Sequence, residues 1–308
     1  VVNLYAEMDL NLLTTKDYRW ITPVLHAHYR QWKAEPPKRR DRISQDPHWH
    51  LKIDRVNQYN AVVAQTRLML RERKPKSLVF VWYGQEGQGV ETFHKRLLVE
   101  LREELTSVYV HQVRPRWPEH FPESYHDAFS DILTETFAVN TVEDIPARLR
   151  NESHGRPTLL YVRHEPVRSP RLINPESLKW YVRWWDQKLA PLLEKKQFAL
   201  LTVSFLVSNP PAFLGYMEKE KIEEMNTQKT VFWLLDEMEK IAKRDLLLFL
   251  RTHNIDLPDE RRDKILKKIL RKTGGHYDQT VEQLRNIWRE AYSAPDEATA
   301  EAKKTYNY

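Results

Sequence analysis

The residues with the clearest chemical pattern follow an apolar run in the first third of the chain. Three of the seven glycines, Gly84, Gly87 and Gly89, fall within six residues, between the run 78–83 and an amphipathic stretch. Glycine lets backbone amides approach a phosphate group at the start of a helix. The spacing from Gly84 to Gly89 matches the Walker A motif Gly-x4-Gly-Lys-Ser/Thr. The sequence therefore predicts a strand, a phosphate loop and a helix.

The two groups that do the chemistry in this motif are absent. Val90 stands at the lysine position and Glu91 at the Ser/Thr position, so the loop lacks the cation for the terminal phosphates and the hydroxyl for Mg²⁺. A phosphate about 4 Å from Glu91 would be repelled by about 4 kcal/mol at an effective dielectric near 20. The same carboxylate stabilises the start of a helix by about 0.3–1 kcal/mol. We predict a vestigial loop, no catalytic residue and no cofactor.

Two alternatives keep a nucleotide at this loop. In one, ATP or a related nucleotide binds without efficient hydrolysis, with Thr92 taking the metal-side role one residue late. In the other, the chain is a working NTPase. His164 and Glu165 follow the run 158–163, where a Walker B strand would end in Asp-Glu. They are candidates for an acid–base pair or for metal ligands, but a polar strand end closed by Pro166 is the interpretation we favour.

The elements around these residues predict the fold class. Short β-branched and aromatic runs alternate with amphipathic stretches, which is typical of βαβ units. We predict an α/β, three-layer P-loop NTPase-like fold with a five-stranded, mostly parallel sheet and a small C-terminal helical unit. The expected strands are 77–83, 108–113, 158–163, 198–207 and 230–235, and the expected helices are 54–72, 91–105, 123–137, 142–150, 175–195, 216–225, 245–253, 259–272 and 277–292.

The charge distribution and composition divide the chain into four segments. These are a basic, partly helical N-terminal extension (1–76), the degenerate P-loop domain (77–240), a three-helix unit (241–292) and a tail (293–308). The extension has 15 Lys/Arg against 8 Asp/Glu, whereas the rest has 34 against 35. Such asymmetry favours an acidic partner, protein or nucleic acid, on the extension. A solvated basic face without a partner is the alternative.

Three groups of residues are candidates for partner binding. The first is the basic cluster of the extension, Lys38, Arg39 and Arg40. The second is an aromatic stripe at helical spacing, Trp180, Trp184 and Trp185. The third is the basic side of the helix 259–272, with Lys264 and Lys268. Their alternatives are a core position for the tryptophans and a solvated face for the cations. A nucleic-acid-binding subunit that uses the basic regions is therefore a further hypothesis.

Other compositional features exclude several classes of protein. The chain has no cysteine, so disulfides and thiolate metal sites are excluded. Two His-x-His pairs with one acid, His26, His28, His48, His50 and Asp46, are zinc-ligand candidates, but no metal motif accompanies them and we predict no metal. No run reaches the ~18 apolar residues of a membrane span, and we expect a cytoplasmic protein. The sequence begins at Val1 without Met, which is typical of a processed or excised piece.

The loop and its surroundings resemble the STAND branch of P-loop proteins, in particular its degenerate inactive STAND domains. The resemblance is carried by Val79–Gln88 with the helix at Phe93 and Leu97, by Leu159–Pro166, and by Leu234–Leu250, and it covers roughly residues 50–290. It implies a prokaryotic scaffold of antiviral defence or signalling systems that binds effector or sensor subunits or forms homo-oligomers. Residues 1–50 resemble no known effector, so we expect an effector upstream of Val1 or on another polypeptide.

Overall fold

A computed structural model describes residues 48–117, 125–168, 175–219, 225–252 and 259–293, which all belong to one unit, His48–Tyr308. Lys38–Arg40, His26, His28 and Asp46 lie outside these residues. The strands and helices, in chain order, are α1 Val56–Glu72, β1 Ser77–Gly84, α2 Val90–Glu104, β2 Tyr109–Val113, α3 Tyr125–Phe137, α4 Ile145–Ser153, β3 Thr158–Arg163, α5 Pro175–Trp184, β4 Gln197–Leu206, α6 Pro210–Lys219, β5 Thr230–Leu234, α7 Lys243–Thr252, α8 Asp259–Thr273 and α9 Tyr277–Ser293.

The five strands form one sheet in the order β2-β3-β4-β1-β5, and every pair is parallel. Strand β1 lies between β4 and β5 and is aligned with β4 from Ser77 opposite Ala199 to Gly84 opposite Leu206. All eight residues of β1 are buried, because helices cover both faces of a parallel sheet. The predicted α/β, P-loop NTPase-like architecture is confirmed, and its sheet is entirely parallel.

Alternate residues of β1 point into two separate cores. Leu78, Phe80 and Trp82 pack with α1 and α2, whereas Val79, Val81 and Tyr83 pack with α3, α4, α5 and α6. This alternation follows from the two-residue period of a strand. The sheet is thus the middle of three layers, and the carboxyl ends of β1, β3 and β4 meet at one edge, where ligand crevices of open parallel sheets lie.

Two helices differ from their predicted bounds for local reasons. The predicted helix 175–195 is regular only to Trp184, because the five residues Trp185–Leu189 form a π-helical turn. The predicted helix 216–225 begins earlier, at Pro210, where proline is compatible with the first turn. Its first turn is capped by Asn209, whose Oδ1 accepts a hydrogen bond from the Ala212 N–H at 3.1 Å.

Helix α1 belongs to the core around the sheet. Tyr59, Val62 and Met69 of α1 are buried in the same cluster as Phe80 of β1, although the sequence analysis places α1 in the N-terminal extension. The segment bounds at residues 76 and 240 stay predictions. Within the described part of the chain, no helix combines the length and the apolarity needed to cross a membrane.

Candidate functional site

The glycine loop connects β1 to α2 at the carboxyl edge of the sheet, as predicted. Gly87 and Gly89 have φ values of +78° and +73°, a region that favours glycine. Gly84 lies against the segment after β5, since a β-carbon on Gly84 would be 2.9 Å from Cβ of Met238. The loop therefore has the backbone shape that its glycines predict, in tight contact with its neighbours.

The residue at the lysine position faces the core. Val90 is only 2% exposed and belongs to the apolar cluster with Phe93 and Leu97. The Trp82 indole Nε1–H donates a hydrogen bond to the Val90 carbonyl at 3.0 Å. Position 90 thus stabilises the junction between β1 and α2 by apolar packing.

A buried arginine binds the outer side of the loop. Arg55 is 3% exposed, and its Nη2 donates to the carbonyl oxygens of Gln88 at 2.8 Å and Glu239 at 2.7 Å. Its Nη1 is paired with the Asp54 carboxylate. Burial lowers the pKa of the Arg55 guanidinium, and the Asp54 charge opposes this shift. One side chain therefore joins the segment before α1, the glycine loop and the segment after β5.

The first residues of α9 close over the same loop. A β-carbon on Gly89 would lie 2.8 Å from the Tyr277 ring, and the Tyr277 hydroxyl donates to the His50 carbonyl at 2.6 Å. The Asp278 N–H donates to the Gly87 carbonyl at 3.2 Å. The Arg55 guanidinium lies 5.7 Å from the centre of the Tyr277 ring, within cation–π range. We refer to Arg55, Gln88, Glu239 and Tyr277 as the Arg55 cluster.

The rim of the loop carries three carboxylates. Glu86 and Glu91 are exposed and share Arg168, with N–O distances of 3.3 Å and 3.7 Å. Exposed pairs of this kind contribute little free energy. The pKa of Asp278 is raised by burial and by the nearby Glu91 charge. Glu91 is therefore an exposed part of an acidic rim, in addition to its place in the first turn of α2.

A second pair of polar residues follows β3 but is split between core and solvent. His164 is fully buried, stacks on Trp117 with ring centres 3.9 Å apart, and hydrogen-bonds the Tyr181 hydroxyl at 2.9 Å. Burial lowers its pKa to about 3. Glu165 is exposed. A neutral imidazole held by Tyr181 is a weak base at pH 7, so this arrangement fits a structural strand end.

The low pKa of His164 predicts a specific pH dependence. The unfolded chain binds this proton near pH 6.5 and the folded chain near pH 3. Its contribution to stability is complete above the unfolded pKa and is lost as the pH falls. We expect His164→Phe to reduce the slope of unfolding free energy against pH by about 1.4 kcal/mol per unit between about pH 5.5 and 4.5. Urea unfolding at several pH values measures this slope.

The control for this measurement is His154→Asn. His154 is exposed and has a φ of +51°, which asparagine tolerates. The slope of unfolding free energy against pH should therefore be the same for His154→Asn and for the wild type. Equal slopes for the wild type and His164→Phe would contradict a buried, neutral His164.

A buried polar network beside the loop was missed by the sequence analysis. His94 of α2 is fully buried, and its Nε2 lies 3.1 Å from the Ser204 hydroxyl. Its Nδ1 lies 3.3 Å from the Tyr161 hydroxyl and 3.2 Å from the Thr202 hydroxyl. Burial lowers the pKa of His94 well below its usual value. The sequence contains a signal for the burial of His94, since this histidine directly follows Phe93 on the apolar face of α2.

The structure separates the predicted partner-binding residues. Trp184 and Trp185 are fully buried around Phe129, so they are core residues, which corrects their prediction as a partner surface. Trp180 is partly buried against the same core. Lys264 and Lys268 are exposed on α8. The tryptophans are buried because the apolar side of this helix faces the sheet, which agrees with the alternative of a core position.

Among the described residues, no group of three or more His, Asp or Glu side chains has a geometry that could hold a metal ion. His48 and His50 precede α1, and the His50 carbonyl is the acceptor for Tyr277. No protein-family model and no curated protein sequence matches the chain.

The solved structures that are similar to this chain have low sequence identity to it. The ORC2 protein of Aeropyrum pernix, solved as ADPNP-ADP complexes, is 15% identical with a TM-score of 0.43, over 78% of this chain and 64% of that chain. CDC6P of Pyrobaculum aerophilum is 14% identical with a TM-score of 0.40, over 78% and 62%. PCH-2 of C. elegans is 12% identical with a TM-score of 0.38, over 81% and 65%. This chain thus spans less than two thirds of the length of each.

Proposed function

We propose that this chain is a non-catalytic scaffold, in which a degenerate P-loop domain holds protein partners together in a prokaryotic antiviral defence or signalling assembly. The observation that carries the proposal is the Arg55 cluster. Arg55 binds the Gln88 carbonyl and Tyr277 packs on Gly89, so residues of the chain itself fill the space beside the glycine loop. The resemblance to inactive STAND domains supports the biological setting.

The charges around the loop support the absence of hydrolysis. In an active loop a lysine offsets the phosphate charge, whereas here Val90 is buried and Glu86, Glu91 and Asp278 form the rim. Arg168 pairs with this rim and is largely exposed, and Arg163 and Lys95 interact with Glu91 and Asp278. A triphosphate would meet these carboxylates without a cation at the lysine position, and Mg²⁺ would lack the usual hydroxyl ligand.

A phosphate-release assay tests this proposal. Purified wild type and a Glu91→Thr variant, which restores a hydroxyl at the motif position, are each incubated with ATP or GTP and Mg²⁺. We expect both proteins to release phosphate no faster than buffer without protein. Turnover by the wild type that is abolished by Gly89→Val would overturn the scaffold proposal.

Helix α8 favours nucleic-acid binding as a second candidate function. Lys264, Lys267, Lys268 and Arg271 are exposed along about two turns of α8, while Leu266 and Ile269 are buried on its other side. A row of cations at this spacing suits a phosphate backbone.

Salt dependence distinguishes this second function from a solvated helix face. If α8 binds duplex DNA, Lys264→Glu with Lys268→Glu should reduce the slope of log affinity against log salt by about 1 to 2, because each phosphate contact contributes about 0.9. Lys195→Glu with Lys196→Glu, at exposed positions before β4, is the control and should leave the slope unchanged. Equal slopes for the two double variants would exclude α8 as the binding surface.

A further inference from the structure

An acidic groove on the described surface is lined in part by Arg55. It has a volume of about 1440 Å³ and extends from the start of α1 and the end of α2 to the segment after β5 and to α7. Pockets for small molecules measure roughly 300–1,000 Å³. The size of the groove therefore suits a segment of polypeptide better than a small molecule.

The groove has an excess of negative charge. Eight carboxylates and five cationic side chains line it, an excess of three negative charges. Three of these cations pair with lining carboxylates: Arg55 with Asp54, Arg96 with Glu100 at 3.1 Å, and Arg244 with Asp245 at 3.4 Å. The net charge of the groove therefore favours a cationic ligand.

The segment after β5 concentrates this negative charge. Asp236, Glu237 and Glu239 lie within four residues, and the Glu237 carbonyl is held by Nε2 of Gln58 at 3.2 Å. The pKa of Glu237 is raised by burial and by the Glu239 charge, while Arg55 opposes this shift. Two carboxylates that disfavour each other are stabilised when a cation binds between them.

An exposed apolar side chain lies in the same groove. Leu248 of α7 is 52% exposed and the adjacent Phe249 is buried, and both line the groove. Addition of a strand at the nearby edge of the sheet is hindered. The outward N–H groups of Thr230 and Phe232 are bonded to the side chains of Thr227 at 3.1 Å and Asn226 at 2.7 Å. A side-chain-mediated contact in the groove is therefore favoured over strand addition.

We infer that the acidic groove binds a basic amphipathic helix of a partner protein, with an apolar residue on Leu248 and Lys or Arg side chains on Glu237 and Glu239. The argument is charge complementarity with an apolar centre, the arrangement typical of helix-in-groove recognition. This inference rests on the proposed scaffold function, because it names the chemistry of the partner that the scaffold would hold.

A labelled peptide tests the inference directly. The probe is a helical leucine–lysine peptide of about 14 residues with leucines at i, i+3, i+4 and i+7 spacing, compared with its leucine–glutamate counterpart. We expect saturable anisotropy with the lysine peptide alone. Leu248→Asp, and Glu237→Gln with Glu239→Gln, should each weaken this binding about tenfold or more. The matched controls are Leu68→Asp, at an exposed position of α1 outside the groove, and Glu143→Gln, and neither should weaken the binding.

Four outcomes overturn the inference: no saturable binding, equal binding of the glutamate peptide, equal affinities of Leu248→Asp and Leu68→Asp, or a wild-type dimer that Leu248→Asp converts to a monomer. The last would show that a second copy covers the groove. Repeating the titration with ATP and Mg²⁺ separates this inference from the proposed function. If a nucleotide binds and the peptide affinity is unchanged, the proposal that the glycine loop is vestigial is contradicted, whereas the inference about the acidic groove still holds.

Discussion

Arg55→Ala is expected to lower the free energy of unfolding by about 3 to 5 kcal/mol, the usual cost of removing one partner of a buried ion pair. Arg55 is 3% exposed, and its loss would leave the Asp54 carboxylate without its cation. The Gln88 and Glu239 carbonyls would lose their donor as well. Urea unfolding followed by tryptophan fluorescence measures the effect. Arg55→Lys should recover part of the loss, because one ammonium keeps the charge but cannot reproduce the guanidinium fork.

The matched control is Arg67→Ala on α1. Arg67 also pairs with a carboxylate, Glu104, but its side chain is 58% exposed, so we expect a loss of no more than about 1 kcal/mol. Similar losses for Arg55→Ala and Arg67→Ala would show that Arg55 does not hold the glycine loop.

The second large effect is expected at Gly89. Gly89→Ala places a methyl group 2.8 Å from the Tyr277 ring at a φ of +73°. We expect a loss of about 3 kcal/mol, of which roughly 1–2 comes from the left-handed backbone and the rest from overpacking. Because Tyr277 is buried and bonded to His50, the ring cannot move without breaking that bond. Thermal and urea unfolding both measure this loss.

Gly155→Ala separates the two contributions. Gly155 has a φ of +74° and no atom within 4 Å of the added β-carbon, so this variant carries backbone strain without a clash. We expect it to lose only about 1–2 kcal/mol. If Gly89→Ala and Gly155→Ala are equally destabilised, Tyr277 does not pack on the loop in solution.

Local patterns were sufficient to predict the fold. Most residues of β1 and β4 are apolar, as their burial requires, and the glycines at 84, 87 and 89 marked the turn into α2. Helix bounds were less predictable, because the π-helical turn after Trp184 and the proline start of α6 depend on packing and on a cap at Asn209. The prediction for Trp184 and Trp185 shows the same limit, since spacing does not distinguish a core stripe from a contact stripe.

The chemistry of the site was less accessible from the sequence. The missing lysine and hydroxyl were visible at Val90 and Glu91, but the residues that cover the loop come from distant parts of the chain. Arg55 and Gln88 are 33 residues apart, and Arg55 and Glu239 are 184 apart. No local pattern marks Arg55 as buried. Its neighbour Asp54 is a visible partner, but its distant partners are backbone carbonyls, which every sequence possesses.

Whether the glycine loop binds a nucleotide is tested most directly by calorimetric titration of the purified wild type with ATP and with GTP in the presence of Mg²⁺, with a matched thermal-shift series. Glu91→Ala, which removes one rim charge, is titrated in parallel. We predict no saturable heat and an unchanged melting temperature for both proteins, because the Arg55 cluster already occupies the side of the loop. Saturable heat with a raised melting temperature, equivalent to about 2.7 kcal/mol at a ligand concentration 100 times Kd, would contradict this prediction and identify a nucleotide-responsive switch.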